Sequence, residues 1–147
     1  MTQSSLPTPT PLPLENGDCL SRLAGKVGNS RITADDYLEG APELVVEIAA
    51  SSASRDLHAK LRAYRRNGVQ EYMVWKVLEQ EIVWFHLQQG QYQVLTPDPC
   101  GILKSQVFPG LWLNPETLLV TDLSAVSQMA EAGINTPTHA EFRQQLT

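Results

Sequence analysis

The sequence predicts one mixed α/β domain, and three stretches carry that reading. Residues 44–49, LVVEIA, form a short run rich in β-branched side chains. Residues 55–67 repeat apolar side chains at helical spacing, and residues 71–95 hold three strand-like runs separated by turn signals. A strand, an amphipathic helix and then a meander make a mixed sheet with a helix packed on it, an α+β arrangement. The 147 residues are one domain's worth of chain, enough for a single hydrophobic core.

Residues 1–14, MTQSSLPTPTPLPL, alternate proline with Thr and Leu from Pro7 to Pro13. That pattern favours extended polyproline backbone and leaves few donors for a sheet, so a disordered tail is expected at 1–14 and the domain at 15–147. Asn16-Gly17 signals a turn, Cys19 to Leu23 a short strand, and Thr33 to Leu38 one helical turn with Thr33 as N-cap. The next strand spans Glu43 to Ala49, bounded by Pro42 and by Ser51, Ser52 and Ser54. Its side chains alternate, so Leu44, Val46 and Ile48 share one face while Glu43, Val45, Glu47 and Ala49 share the other. The serines are natural caps for a helix from about Arg55 to Asn67, stopped by Gly68. On that helix Leu57, Leu61 and Tyr64 form the buried stripe with Lys60 on its flank, and Arg62, Arg65 and Arg66 lie on the wet side.

Strands follow at Glu71–Val77, Glu81–Leu87 and Gln91–Leu95, joined by turns at Glu79-Gln80 and Gln89-Gly90, which reads as an antiparallel meander. After the loop 97–101, Val107 to Leu113 is expected to cover the core around a Pro109-Gly110 corner. Asn114-Pro115 begins a helix, and Thr138 with Glu141 has capping-box spacing for a last short one. No internal repeat is present.

Composition narrows the function classes. With 42% hydrophobic and 18% charged residues the chain is of ordinary globular type, and no apolar run approaches a membrane span. The start lacks the basic-then-apolar pattern of a secretory signal, so the cytoplasm is the default location. A net charge of -5 argues against coating nucleic acid by bulk electrostatics, but it is compatible with an enzyme that holds a divalent metal and touches nucleic acid briefly. Cys19 and Cys100 form no metal or disulfide framework, and His58 and His86 are not at zinc-ligand spacing. Trp75, Trp84 and Trp112 read as core or edge aromatics, and Asp56 as a carboxylate at the positive end of the helix dipole.

The chemistry centres on Glu47. Alone, a glutamate in LVVEIA is solvent-facing on an antiparallel sheet with one wet face. A lysine delivered from the first turns of the following helix can meet the end of that strand, which links Glu47 to Lys60. Otherwise Lys60 snorkels along the core edge. A carboxylate contributes to holding Mg²⁺, and a nearby ammonium offsets charge developing on a phosphate.

The runs PELVVEIAASS and RDLHAKLRAYRRNGVQEY, with VLEQEIVWF and SQVFPGLWL after them, resemble the Uma-type family of restriction endonucleases in the PD-(D/E)XK nuclease superfamily. The similarity extends from about Ser30 to the C-terminus. It implies a restriction-endonuclease-like core, a mixed sheet flanked by helices in the order αβββαβ, hydrolysing DNA phosphodiester bonds with Mg²⁺ or Mn²⁺. Glu47 matches the acid of the (D/E)xK strand. Position 49 is Ala rather than Lys, and Lys60 matches a lysine moved to the next helix. Aligning backward from Asn29-Ser30-Arg31 puts Asp18 at the first metal-binding acid, with Gly17 where the family has proline. Only about forty residues precede the signature, so the N-terminal part of the core is expected to be shortened. Two readings follow: a metal-dependent DNA endonuclease using Glu47, Lys60 and Asp18, or an inactive relative serving as a binding module or as a homodimer paired through the meander strands.

Overall fold

A computed structural model describes residues 19–20, 30–35, 37–50 and 54–146. The tail expected at 1–14, the Asn16-Gly17 turn, Asp18 and the serines at 51–53 lie outside the described residues. The first strands are β1 (Cys19–Leu20), β2 (Arg31–Ile32) and β3 (Leu38–Glu39). Then come β4 (Leu44–Ala49), the helix α1 (Ser54–Asn67), β5 (Glu71–Lys76), β6 (Glu81–Gln88) and β7 (Gln91–Val94). The chain ends with β8 (Leu103–Lys104), β9 (Trp112–Leu113), α2 (Pro115–Leu119), α3 (Leu123–Ile134) and α4 (Pro137–Gln145). The main sheet runs β1-β4-β5-β6-β7, with β4 and β5 parallel and the other neighbours antiparallel. It is a mixed α/β fold of the restriction-endonuclease-like kind, with helices after the sheet.

Parallel pairing of β4 and β5 bears out the mixed sheet and removes the alternative reading of Glu47 as a solvent-facing residue of an antiparallel sheet. A parallel neighbour requires a crossover, and α1 provides it. The helix turns Leu57, Leu61 and Tyr64 onto the sheet and leaves Arg62, Arg65 and Arg66 exposed, as its spacing predicts. Its end is a Schellman turn: Gly68, at φ 77°, donates to Arg65 O at 3.1 Å and Val69 to Tyr64 O at 3.1 Å. That turn buries Val69 completely beside Tyr64 and starts β5 in register with β4, Leu44 opposite Glu71.

Two cores result, one on each face of the sheet. Under α1 lie Val45, Tyr64, Val69, Tyr72 and Val74, extended by Val83, Phe85 and Tyr92. The aromatic rings run across the strands, with Tyr64 to Tyr72 at 4.9 Å, Tyr72 to Phe85 at 6.0 Å and Phe85 to Tyr92 at 6.1 Å. Tyr92 donates to Val69 O at 2.9 Å, and burial pushes its hydroxyl pKa up. On the opposite face Leu44, Trp84, Leu95, Leu103 and Phe108 pack with Met73 and Phe142.

Glu71 ties this second face to the C-terminal half. It is fully buried and accepts from Ser105 Oγ at 2.8 Å, Gln106 N at 2.6 Å and Val107 N at 3.3 Å. Those bonds hold the loop before the Pro109-Gly110 corner, where Gly110 has φ 93° and Leu111 donates to Phe108 O at 2.9 Å. The end of α3 docks closely on the corner: a methyl built on Gly133 would stand 2.0 Å from Gly110 O, so only glycine fits.

Two local expectations are overturned. The helical turn expected from Thr33 to Leu38 gives way to an antiparallel β2–β3 hairpin, with Leu38 in β3, Thr33 N donating to Tyr37 O at 2.8 Å and Arg31 paired with Glu39 at 2.6 Å. The Thr33 hydroxyl accepts from Tyr37 N, four residues on, and so closes a hairpin loop instead of capping a helix. The last helix is capped by Thr136, accepting from His139 N, with Pro137 at its first position, and Thr138 lies inside it. Asn114 does cap α2 ahead of Pro115, as expected, while α3, capped by Asp122, was not foreseen.

Burial raises the Glu71 pKa, and its three hydrogen bonds only partly offset this. The folded state therefore holds the proton more tightly than the unfolded chain, and the associated stability, present below the ordinary Glu value, is lost as pH rises through the raised one. Urea unfolding between roughly pH 4 and pH 7 should show wild type losing stability relative to Glu71→Gln as pH rises. Parallel pH profiles for the two proteins would contradict this.

Candidate functional site

The site forms where β4, α1 and β5 meet. Alternation puts Val45, Glu47 and Ala49 on the face beneath α1, and the parallel register puts Tyr72, Val74 and Lys76 on that same face. Lys60, on the flank of the apolar stripe of α1, comes down over Glu47. Its ammonium donates to Glu47 Oε1, and the Tyr72 hydroxyl donates to Glu47 Oε2 at 2.9 Å. The Glu47 side chain is 15% exposed and Lys60 29%, so the pair sits at the rim of the core rather than on a wet face.

Burial explains the pairing. A half-desolvated carboxylate needs a cation or donors on both oxygens, and the helix supplies one while the neighbouring strand supplies the other. The Tyr72 ring is almost wholly buried between Tyr64 and Phe85, which fixes its hydroxyl under the carboxylate. The structure thus brings Glu47 and Lys60 together, as sequence spacing predicts. Tyr72 was missed because its contact depends on β4 and β5 being parallel.

The other sequence candidates lie apart. Asp18 is outside the described residues, although Cys19, the next residue, pairs with Val46, the residue before Glu47. His58 is exposed and His86 half-buried on the opposite face, and among the described residues no group of three or more His, Cys, Asp or Glu stands together. At the far side of the sheet Asp98 accepts from Lys104 at 2.9 Å and from Cys100 N and Ile102 N, and these bonds lower its pKa against a weaker desolvation. Lys104 also lies 4.6 Å over the Trp112 ring, a local brace for the loop.

A mixed sheet whose parallel pair, β4 and β5, is joined by the crossover helix α1, with further helices after it, makes this chain a restriction-endonuclease-like α/β domain. The family model Uma2, described as "Putative restriction endonuclease", matches residues 21–116 of the 147, and the chain belongs to that family. No curated protein matches the chain. No described helix is long and apolar enough to cross a membrane.

A double-mutant cycle on Glu47→Gln and Lys60→Met, read by urea unfolding, should give a coupling of about 1–2 kcal/mol, between the values for exposed and fully buried pairs. A coupling within about 0.3 kcal/mol of zero would show that the ion pair does not hold α1 to the sheet.

Proposed function

We propose that this protein is a metal-dependent endonuclease that hydrolyses DNA phosphodiester bonds at Glu47 and Lys60. The observation that carries the reading is the convergence of the Glu47 carboxylate and the Lys60 ammonium near the carboxyl end of β4, with Tyr72 fixing the acid from below. Membership in a family described as restriction endonucleases supports DNA as substrate.

The donor chemistry fits a hard divalent ion. Mg²⁺ is commonly held by one or two carboxylates, with water and substrate phosphate completing its shell, and Glu47 supplies one carboxylate. Asp18 is the second in this reading, and the pairing of Cys19 with Val46, next to Glu47, supports that assignment. When bound, Mg²⁺ or Mn²⁺ supplies positive charge against the phosphate and makes water a stronger acid. Tyr72 keeps Glu47 oriented by its bond to Oε2. Lys60, paired with Oε1 in the free protein, is positioned to turn its ammonium to a phosphate oxygen or to the attacking water.

One observation favours a second reading, a non-catalytic module of the same fold: both Glu47 oxygens are already bonded within the protein. Supercoiled plasmid titrated with Mg²⁺ or Mn²⁺ separates the two. The endonuclease reading expects cleavage that falls by about 100-fold or more in Glu47→Ala and in Lys60→Ala. Cleavage that persists in either variant, or its absence from wild type, would sink it.

A further inference from the structure

We infer that Lys76 is a DNA phosphate-binding residue of this site, latched by Glu81 until substrate arrives. The inference rests on the endonuclease reading for its substrate and on sheet register for its geometry. Ala49 occupies the position two residues beyond Glu47 on the same face, and it brings only a methyl group. Its partner across the parallel ladder is Lys76, and the pairing holds to the end of the strands, where Val77 N donates to Ala49 O at 3.0 Å.

Lys76 therefore stands one step beyond Glu47 toward the carboxyl ends of β4 and β5, on the face beneath α1. From strand spacing and rise, its Cα lies about 8 Å from that of Glu47. A phosphate at the carboxyl ends of the two strands, past the small Ala49 side chain, is within reach of the Lys76 ammonium. Ligands of sheets with parallel strands gather at the carboxyl ends of those strands, the end where this lysine lies.

The partner of Lys76 explains why the cation is available. Across the antiparallel ladder Lys76 faces Glu81, and its ammonium donates to Glu81 Oε2 at 2.6 Å. The Lys76 side chain is only 19% exposed, whereas that of Glu81 is 53% exposed. The lysine stem is thus held against the sheet while its head is tied to a solvated carboxylate, and an exposed partner of that kind contributes little. A phosphate oxygen replaces it at small cost. Arg62, Arg65 and Arg66 do not share this geometry: all three are exposed on α1, and Arg65 donates to Gln91 of β7 at 3.0 Å, at the other edge of the sheet from β4.

The test is binding of a fluorescein-labelled DNA duplex in EDTA, followed by anisotropy over a series of NaCl concentrations, beside the plasmid assay. Lys76→Gln should weaken binding roughly tenfold at low salt and reduce the log-log salt slope by about one, the signature of one lost phosphate contact. Lys76→Arg should restore both. Glu81→Gln should tighten binding more than Glu79→Gln, which removes the same charge from an exposed turn residue without releasing the latch. Lys76→Gln with wild-type affinity and slope, beside a wild type that cleaves plasmid, would overturn this inference alone. A wild type that binds with the Lys76 effect but does not cleave would overturn the endonuclease reading and leave Lys76 as a phosphate contact. Failure of wild type both to bind and to cleave would overturn both.

Discussion

Parallel pairing of β4 with β5 is the constraint from which the rest of the molecule follows. Two parallel strands cannot be joined by a hairpin, so the chain must leave the sheet, cross it and return. The fourteen residues of α1 do this, and the apolar stripe of Leu57, Leu61 and Tyr64 decides which face they cover. Once α1 lies on that face, Glu47 loses most of its water. A carboxylate left so needs partners, and Lys60 and Tyr72 are placed by the same crossover that buried it. The candidate site is therefore a product of the topology and not an addition to it.

Two glutamates on adjacent strands show how differently one sheet can accommodate buried acid. Glu71 points to the opposite face from Glu47 and is satisfied by a hydroxyl and two backbone amides, with no cation among them. Its burial outweighs those bonds and raises its pKa, which suits a group whose task is to anchor the loop at 105–107. Glu47 is paired with the Lys60 ammonium at the edge of the core, where both side chains keep some exposure to solvent. The contrast is one of partners: Glu71 is held by a hydroxyl and backbone amides, Glu47 by a lysine ammonium and a tyrosine hydroxyl.

Much of this was legible in the sequence. Strand and helix bounds around the site agree with the alternation and wheel arguments to within about a residue, because LVVEIA and the α1 stripe have strong periodicity and a clear glycine stop. The partnership of Glu47 with Lys60 followed from a lysine set beside that stripe. Strand direction was less accessible. Both LVVEIA and EYMVWK are nearly continuous apolar runs, the pattern of strands covered on both faces, yet a charged residue inside the first invited a one-sided reading. With direction unread, Tyr72 and Lys76 could not be placed, since neither is near Glu47 in sequence and both reach its face only through the ladder. The hairpin at 31–39 was missed because a threonine that caps a helix and one that closes a hairpin loop look alike in sequence.

The central claim is that the Glu47 carboxylate, held between Lys60 and Tyr72, is the protein's ligand for a divalent ion. Titration of Mn²⁺ into the full chain, followed by the paramagnetic resonance signal of the free ion, tests it without reference to turnover. The account predicts a site in wild type that Glu47→Gln removes. A variant that retains the site, or a wild type that has none, would contradict it.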